Sequence, residues 1–221
     1  MRTVLAIAAL CIGIGCGVSL GSEDTTGPKL YRDEELPPRG DGGGIVDANA
    51  PPADAPSGTI DSGPRRYQVF VTSTKTTGNI GGVAAADVLC NQLAYDAKLK
   101  GRFQAWLSTS TANAIDRVKG DGPWVLVDGA EFTDARSELT DGAPDFPIVK
   151  DEKNATIPAG EKVWTGTGPD GKRGAADCGG WTSAEGTGVA GIATSARVNE
   201  WTAAATDPCA GQYRLYCIEQ P

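Results

Sequence analysis

Histidine is absent from all 221 residues. That removes the side chain that titrates nearest neutral pH and the commonest metal ligand. A Ser-His-Asp triad, a Cys-His pair and a histidine zinc site are therefore excluded. Basic residues are also in deficit, 20 against 28 acidic, for a net charge of −8. Nucleic-acid binding needs basic patches that displace counterions from phosphate, and docking on anionic lipid through basic residues needs the same. The overall balance argues against both. No two cysteines have C-x-x-C spacing, so a zinc ribbon or thioredoxin-type redox site is not expected. Gly42-Gly43-Gly44 is not followed by Lys-Ser or Lys-Thr, so it is not a phosphate loop. One long apolar run exists, Val4 to Leu20, and Gly13, Gly15 and Gly17 break it. It is shorter than the roughly 20 residues that a membrane span requires.

What is present divides the chain in three. Arg2 followed by that apolar run reads as a secretory leader over residues 1–18. Ile14-Gly15-Cys16 resembles the end of a lipobox, with cleavage before Cys16 and acylation of its thiol. Acyl chains there would anchor the protein at about 0.8 kcal/mol per buried CH₂. Residues 19–65 hold seven prolines, eight glycines, nine acidic and four basic residues. Such a segment buries too little apolar surface to offset its ordering entropy, and it reads as a tether. From residue 66 to 221 the texture becomes that of a folded domain with 19 acidic and 15 basic residues.

Within that domain, Tyr67-Gln68-Val69-Phe70-Val71-Thr72 predicts a strand. Its apolar residues fall on both parities, so it is expected in the middle of a sheet, buried on both faces. Val83, Ala86, Cys90, Leu93 and Ala97 lie on one face of a helix. Thr77 or Asn79 is the expected cap, with Lys98, Lys100 and then Gly101 at the far end. Phe103 to Leu107 is a second strand. Ser110 is expected to cap a short helix that buries Ala112, Ile115 and Val118. Pro123 to Val127 runs into Asp128-Gly129, a two-residue hairpin signal, with return over Ala130-Glu131-Phe132. Thr133 to Lys162 has little regular pattern. A loop that long inside a domain tends to be functional, and it is the expected ligand face together with the turns around Cys178–Trp181. Val163 to Gly166 and Arg214 to Glu219 complete the strands.

Cys90, Cys178, Cys209 and Cys217 suggest two disulfides in an exported chain, with three possible connectivities. Cys209–Cys217 would be a hairpin staple. The nested alternative is Cys90–Cys217 outside Cys178–Cys209, at roughly 5 and 3–4 kcal/mol on chain entropy.

The motifs Gly78-Asn79-Ile80-Gly81-Gly82, Ala105-Trp106-Leu107-Ser108, Val163-Trp164-Thr165-Gly166, Cys178-Gly179-Gly180-Trp181-Thr182 and Arg214-Leu215-Tyr216-Cys217 carry a resemblance. The domain resembles a bacterial lipoprotein domain of unknown function, similar to the collagen endostatin module and, more broadly, to C-type-lectin-like domains. The resemblance implies an α+β fold with two early helices, short antiparallel strands, long loops and the nested disulfides. The leading expectation for its role is a non-enzymatic, surface-tethered binding or adhesion module. Sugar-binding C-type lectins hold calcium through Glu-Pro-Asn or Gln-Pro-Asp and then Trp-Asn-Asp. This chain has neither, and its nearest counterpart is Asn199-Glu200-Trp201.

Among candidate site residues, Trp106, Trp164 and Trp201 are expected in the core, and Trp181, set between glycines and Thr182, is the tryptophan expected at the surface. Asp170, Asp177 and Glu185 surround Cys178 and are the candidate ligand-binding acids; Asn199 and Glu200 are the candidate calcium ligands. Asp141, Asp145, Asp151 and Glu152 are the carboxylates from which a hydrolase would draw its acid/base pair. No cofactor is expected beyond calcium. The expected partner is a protein or glycan at the cell envelope or outside it, in an oxidising compartment. Membrane contact is expected only through the lipid, and no nucleic acid is expected. The alternatives are a calcium-dependent lectin and a carboxylate hydrolase.

Overall fold

The computed structural model describes residues 65–140 and 144–221. The expected leader, the lipidation of Cys16, all but the last residue of the tether and the candidate acid Asp141 lie outside the described residues. Residues Thr59–Pro221 form a compact unit. It contains every described strand, both apolar cores and all four domain cysteines. Among the described residues no helix is long and apolar enough to cross a membrane.

The fold is mixed α+β, with mostly strands and few helices. β1 (Tyr67–Val71) leads to α1 (Val83–Asp96), β2 (Arg102–Ala105) and the one-turn α2 (Ala114–Arg117). β3 (Trp124–Leu126) and β4 (Glu131–Thr133) form the expected hairpin, and a 3-10 turn, Arg136–Leu139, follows. β5 (Lys162–Trp164), the turn α3 (Cys178–Trp181), β6 (Thr187–Ile192), α4 (Val198–Trp201), β7 (Ala205–Pro208) and β8 (Arg214–Gln220) complete the chain. The strand order is β4-β3-β1-β8-β5-β6-β7, with β2 also on β8. β8 is the hub. It pairs antiparallel with β1 and β2 and parallel with β5. The expectation of antiparallel strands is corrected here: β1 with β3 and β5 with β8 run parallel. The long connections α1–β2–α2 and β5–β8 carry the chain back over the sheet, which parallel neighbours require.

Period-2 alternation along β1 and β8 separates two cores. Val69, Val71, Tyr216 and Ile218 face one; Phe70, Leu215 and Cys217 face the other. β1 is thus buried on both faces, as its composition predicted. α1 covers the second core with Ala86, Cys90 and Ala94. The first core is closed by Trp106, Trp201 and the 133–162 segment, which buries Leu139, Ile148 and Ile157. That segment thus packs on the sheet through a few buried residues, while Asp145, Phe146, residues 153–156 and 158–160 are exposed. Asp151 forms a bridge with Val71, and its carboxylate accepts from Lys153 N and Ala155 N at 2.9 and 2.8 Å. Glu152 accepts from the backbone N–H of Ser73 at 2.9 Å and from its hydroxyl.

Two caps differ from expectation. Gly82 is at the N-cap of α1, with no side-chain capping bond. Asn113, not Ser110, precedes α2, because Thr109 and Ala112 first close a tight bridge. Ala114 and Val118 are the residues buried there, while Ile115 packs on the core only in part. The outer edge of β2 is sealed by side chains. Asn91 exchanges bonds with Phe103, Asp87 accepts from Ala105 N at 2.9 Å, and Arg117 donates to Ala105 O at 2.7 Å. The Arg117–Asp87 ion pair, at 2.6 Å, locks the arrangement. Side-chain capping of this kind blunts a sheet edge against pairing with other chains.

The cysteines pair as Cys90–Cys217 and Cys178–Cys209. The outer bridge ties α1 to the hub strand. The inner one ties α3 to the end of β7, and α3 is unusual. Cys178, Gly179, Gly180 and Trp181 all have φ between 51° and 69°, so the turn is left-handed. Left-handed backbone costs about 1–2 kcal/mol at each non-glycine residue. Glycine at 179 and 180 removes that cost at two of the four positions. Asp177 O accepts from Trp181 N at 2.8 Å, and the Asp177 carboxylate accepts from Gly180 N at 3.2 Å. Against this turn packs Gly78, where a Cβ would lie 2.3 Å from Cys178 Sγ.

The close approach gives a test. Gly78→Ala is expected to destabilise the unit by about 1–3 kcal/mol through overpacking. Urea titration should show that cost fall but not vanish when Cys178→Ala and Cys209→Ala remove the sulfurs, because the Cys178 and Cys209 Cβ atoms, 2.8 and 2.9 Å from the new methyl, remain. An undiminished cost would mean that the clash is with something else.

Candidate functional site

Trp181 is fully buried, which corrects the expectation of an exposed tryptophan. The left-handed turn aims its indole inward. Nε1 donates to Ser108 O at 2.9 Å, and the ring sits 5.9 Å from that of Trp164. Trp181 is therefore no ligand platform. Trp106, Trp164 and Trp201 are buried as expected, and Trp124 joins them.

The acids around Cys178 are not brought together into one pocket among the described residues. Asp177 is buried and spent on the turn and on Arg173, 3.3 Å away. Asp170 is exposed and closes its own turn by accepting from Lys172 N at 3.1 Å. Glu185 is exposed. Asn199 is exposed on α4, and Glu200 is held by Ser195 Oγ at 2.8 Å and Arg197 at 2.9 Å. The Ser195 hydroxyl, and then Arg197, keep Glu200 below the usual carboxylate range. Asp151 and Glu152 are buried and committed to backbone groups. One carboxylate trio does form. Glu131, Asp134 and Asp145, all exposed, offer oxygens within 4.8 Å of one another, and Arg66 pairs with Glu131 at 2.6 Å.

A cluster of ionisable groups lies where the start of β5 meets the start of β8. β5 places Glu161 and Lys162 beside each other, and β8 is preceded by Tyr213. Glu161 receives Lys75 Nζ at 2.9 and 2.8 Å on its two oxygens and Arg214 Nε at 3.1 Å. Lys162 Nζ donates to Asp207 at 2.7 Å and stands 5.5 Å from the Tyr213 ring centre. That ring packs 4.4 Å from the indole of Trp164. Thr76 and Tyr213 exchange backbone bonds of 2.7 and 2.9 Å, which fixes the aromatic pair. Arg214 Nη1 donates to Thr72 O and Ser73 O, tying the same corner to the end of β1. The result is a shallow cleft of about 310 Å³, lined by Lys75, Glu161, Lys162, Gln212 and Tyr213.

Three of its groups titrate away from their ordinary values. The Lys75 ammonium, with help from Arg214, holds Glu161 low. The Asp207 carboxylate holds Lys162 high. Burial, and then the Asp207 charge, push Tyr213 up. Clusters of perturbed groups in a cleft are a physical mark of a functional site. A half-buried aromatic beside paired charges suits a polar ligand with one apolar face. The sequence signal was weak, because Lys75, Glu161, Lys162, Asp207 and Tyr213 come from four separate stretches. Only Val163-Trp164 and Arg214-Leu215-Tyr216-Cys217, the strands that carry them, stood out.

The chain belongs to the DUF1554 family of proteins of unknown function, whose family model matches residues 73–199. That span runs from just after β1 into α4, so it includes Lys75, Glu161 and Lys162 but not Tyr213. No curated protein matches the chain.

The cleft sets a pH dependence. A carboxylate with a lowered folded value adds stability above its ordinary value of 4.5, and this is lost as pH falls through the lowered value. A raised lysine adds stability below 10.5 that is lost as pH rises through its folded value. Tyr213 adds to the alkaline loss, because above 10.0 the unfolded phenol ionises first. Urea midpoints should therefore fall on both limbs. Glu161→Gln should flatten the acid limb and leave the alkaline one, and an unchanged acid limb would remove Glu161 from the account.

Proposed function

We propose that this protein is a non-enzymatic binding or adhesion module, tethered to a cell envelope through residues 19–65 and a lipid on Cys16. The observation that carries the reading is the Tyr213 cleft: a half-buried aromatic on Trp164, framed by Lys75, Glu161 and Lys162. Its ion pairs are preformed, which lowers the ordering cost of binding. The buried carboxylates Asp151, Glu152, Asp177 and Glu219 are engaged by backbone groups or by cations. That leaves little for an acid/base pair. Two disulfides fit an oxidising, extracellular or envelope compartment. The nested bridges, and a helix pinned by one of them to a central late strand, support the C-type-lectin-like, endostatin-like reading of the fold. The ligand is a protein or glycan met at that envelope.

A second reading has one observation of its own. The exposed Glu131, Asp134 and Asp145 trio is the arrangement a calcium-dependent lectin would use, since calcium favours several carboxylate oxygens.

The test is an array of glycans and extracellular proteins probed with soluble Thr59–Pro221, in calcium and in EDTA. Binding is expected in both buffers, and Tyr213→Ala should weaken it by about tenfold or more, as loss of an aromatic anchor does. Binding in calcium alone, abolished by Asp134→Asn, would move the site to the trio. Mass spectrometry of the protein from membranes should find Cys16 as an acylated N-terminus. An unmodified N-terminus beyond Cys16 would remove the anchor.

A further inference from the structure

A second groove lies at the C-terminal end of β8, beside Arg65. It measures about 520 Å³ and is lined by Arg65, Arg66, Lys98 and Lys100 around Leu99 and Glu219. Its floor carboxylate is already spent. Glu219 accepts from Gln68 N at 2.7 Å and pairs with Arg65 at 2.9 Å. Gly101 lets the chain pass over it, since a Cβ there would come within 2.2 Å of Glu219 Oε1. Arg66 reaches outward to Glu131. Lys98 and Lys100 are exposed, and among the described residues neither has an ion-pair partner within 4.0 Å. The domain as a whole is acidic, yet this face is not.

Lys98 adds an independent observation. α1 ends in a Schellman motif: Leu99 N donates to Ala94 O at 2.9 Å and Lys98 N to Tyr95 O at 3.0 Å. Lys98 holds its left-handed position, with φ 61°. Glycine is the usual occupant there, because it carries no Cβ penalty. A lysine in its place gives up backbone ease and puts a cation at the groove.

We propose that this groove docks the domain on an anionic lipid surface through head-group phosphates. The occupant follows from charge. Lys98 and Lys100, unpaired among the described residues, match phosphate, and Leu99 lies between them at the groove. The membrane as occupant rests on the anchor reading above, but the docking itself is measured without the lipid. Each surface cation contributes enough that its loss weakens adsorption by about fivefold.

Thr59–Pro221 should co-sediment with phosphatidylcholine vesicles containing phosphatidylglycerol and not with pure phosphatidylcholine. Binding should fall steeply toward about 1 M salt, where the screening length is about 3 Å. Lys98→Gly with Lys100→Ala should weaken it by roughly twenty-five-fold, two cations at about fivefold each, while the thermal midpoint holds or rises because residue 98 is relieved. Equal binding to both vesicle types, or an unweakened double variant with its fold intact, would overturn the proposal. Full displacement by millimolar inorganic phosphate would overturn it too, by exposing a single-phosphate site in place of a surface. None of these results bears on whether Cys16 is acylated.

Discussion

One carbonyl organises this domain. The backbone oxygen of Trp181 accepts N–H bonds from Ile80, Gly81 and Gly82, at 3.0, 3.0 and 2.9 Å. These donors are the loop that launches α1. The acceptor sits at the end of a left-handed turn about 100 residues later. Gly81 and Gly82, both with φ above 90°, let three consecutive amides converge. All three donors precede Val83, so this distant main-chain oxygen anchors the approach to the helix rather than capping its first turn. The indole of Trp181 then reaches Ser108, and the adjacent disulfide reaches β7. The start of α1, the turn after β2 and the late strands are therefore placed by one residue whose own backbone is strained. Strain of this kind persists where surroundings over-determine it, and Asp177, Gly78 and the Cys178–Cys209 bond supply that surrounding.

The two faces of the sheet are closed by different means. One has a regular helix. The other has tryptophans and the irregular 133–162 segment, bound through carboxylates that accept backbone N–H groups. That division explains why so many acids of this acidic chain do not face solvent chemistry. Asp151, Glu152, Asp177 and Glu219 act as bolts between segments that have no regular ladder to hold them.

Much of this was legible in the residues. Local periodicity gave β1 as a central strand, α1 with Cys90 inward, the Asp128-Gly129 hairpin and the strands at Val163 and Arg214. β6 was missed because Gly188 and Gly191 break its β signature. Those glycines are needed by close packing, since a Cβ at 188 would meet Cys178 Sγ at 2.6 Å and one at 191 the Trp201 carbonyl at 1.8 Å. Trp181 was misplaced for a related reason. Flanking glycines read as an exposed turn, when they serve a left-handed turn that drives the ring inward. The Tyr213 cleft joins residues up to 138 positions apart, Lys75 and Tyr213, and no local spacing reports such a meeting.

β8 comes late in the chain yet lies in the middle of the sheet. β1 and β5 are joined in the sheet through it, and Cys90 waits for Cys217 to arrive. β1 pairs early with β3 on one edge, but its other edge and Cys90 of α1 wait for residues 214–220. Such dominance of non-local pairing makes folding slow. That delay leaves the Cys90–Cys217 bridge to close late, and such a bridge persists where thiols stay oxidised, as outside the cell or in its envelope.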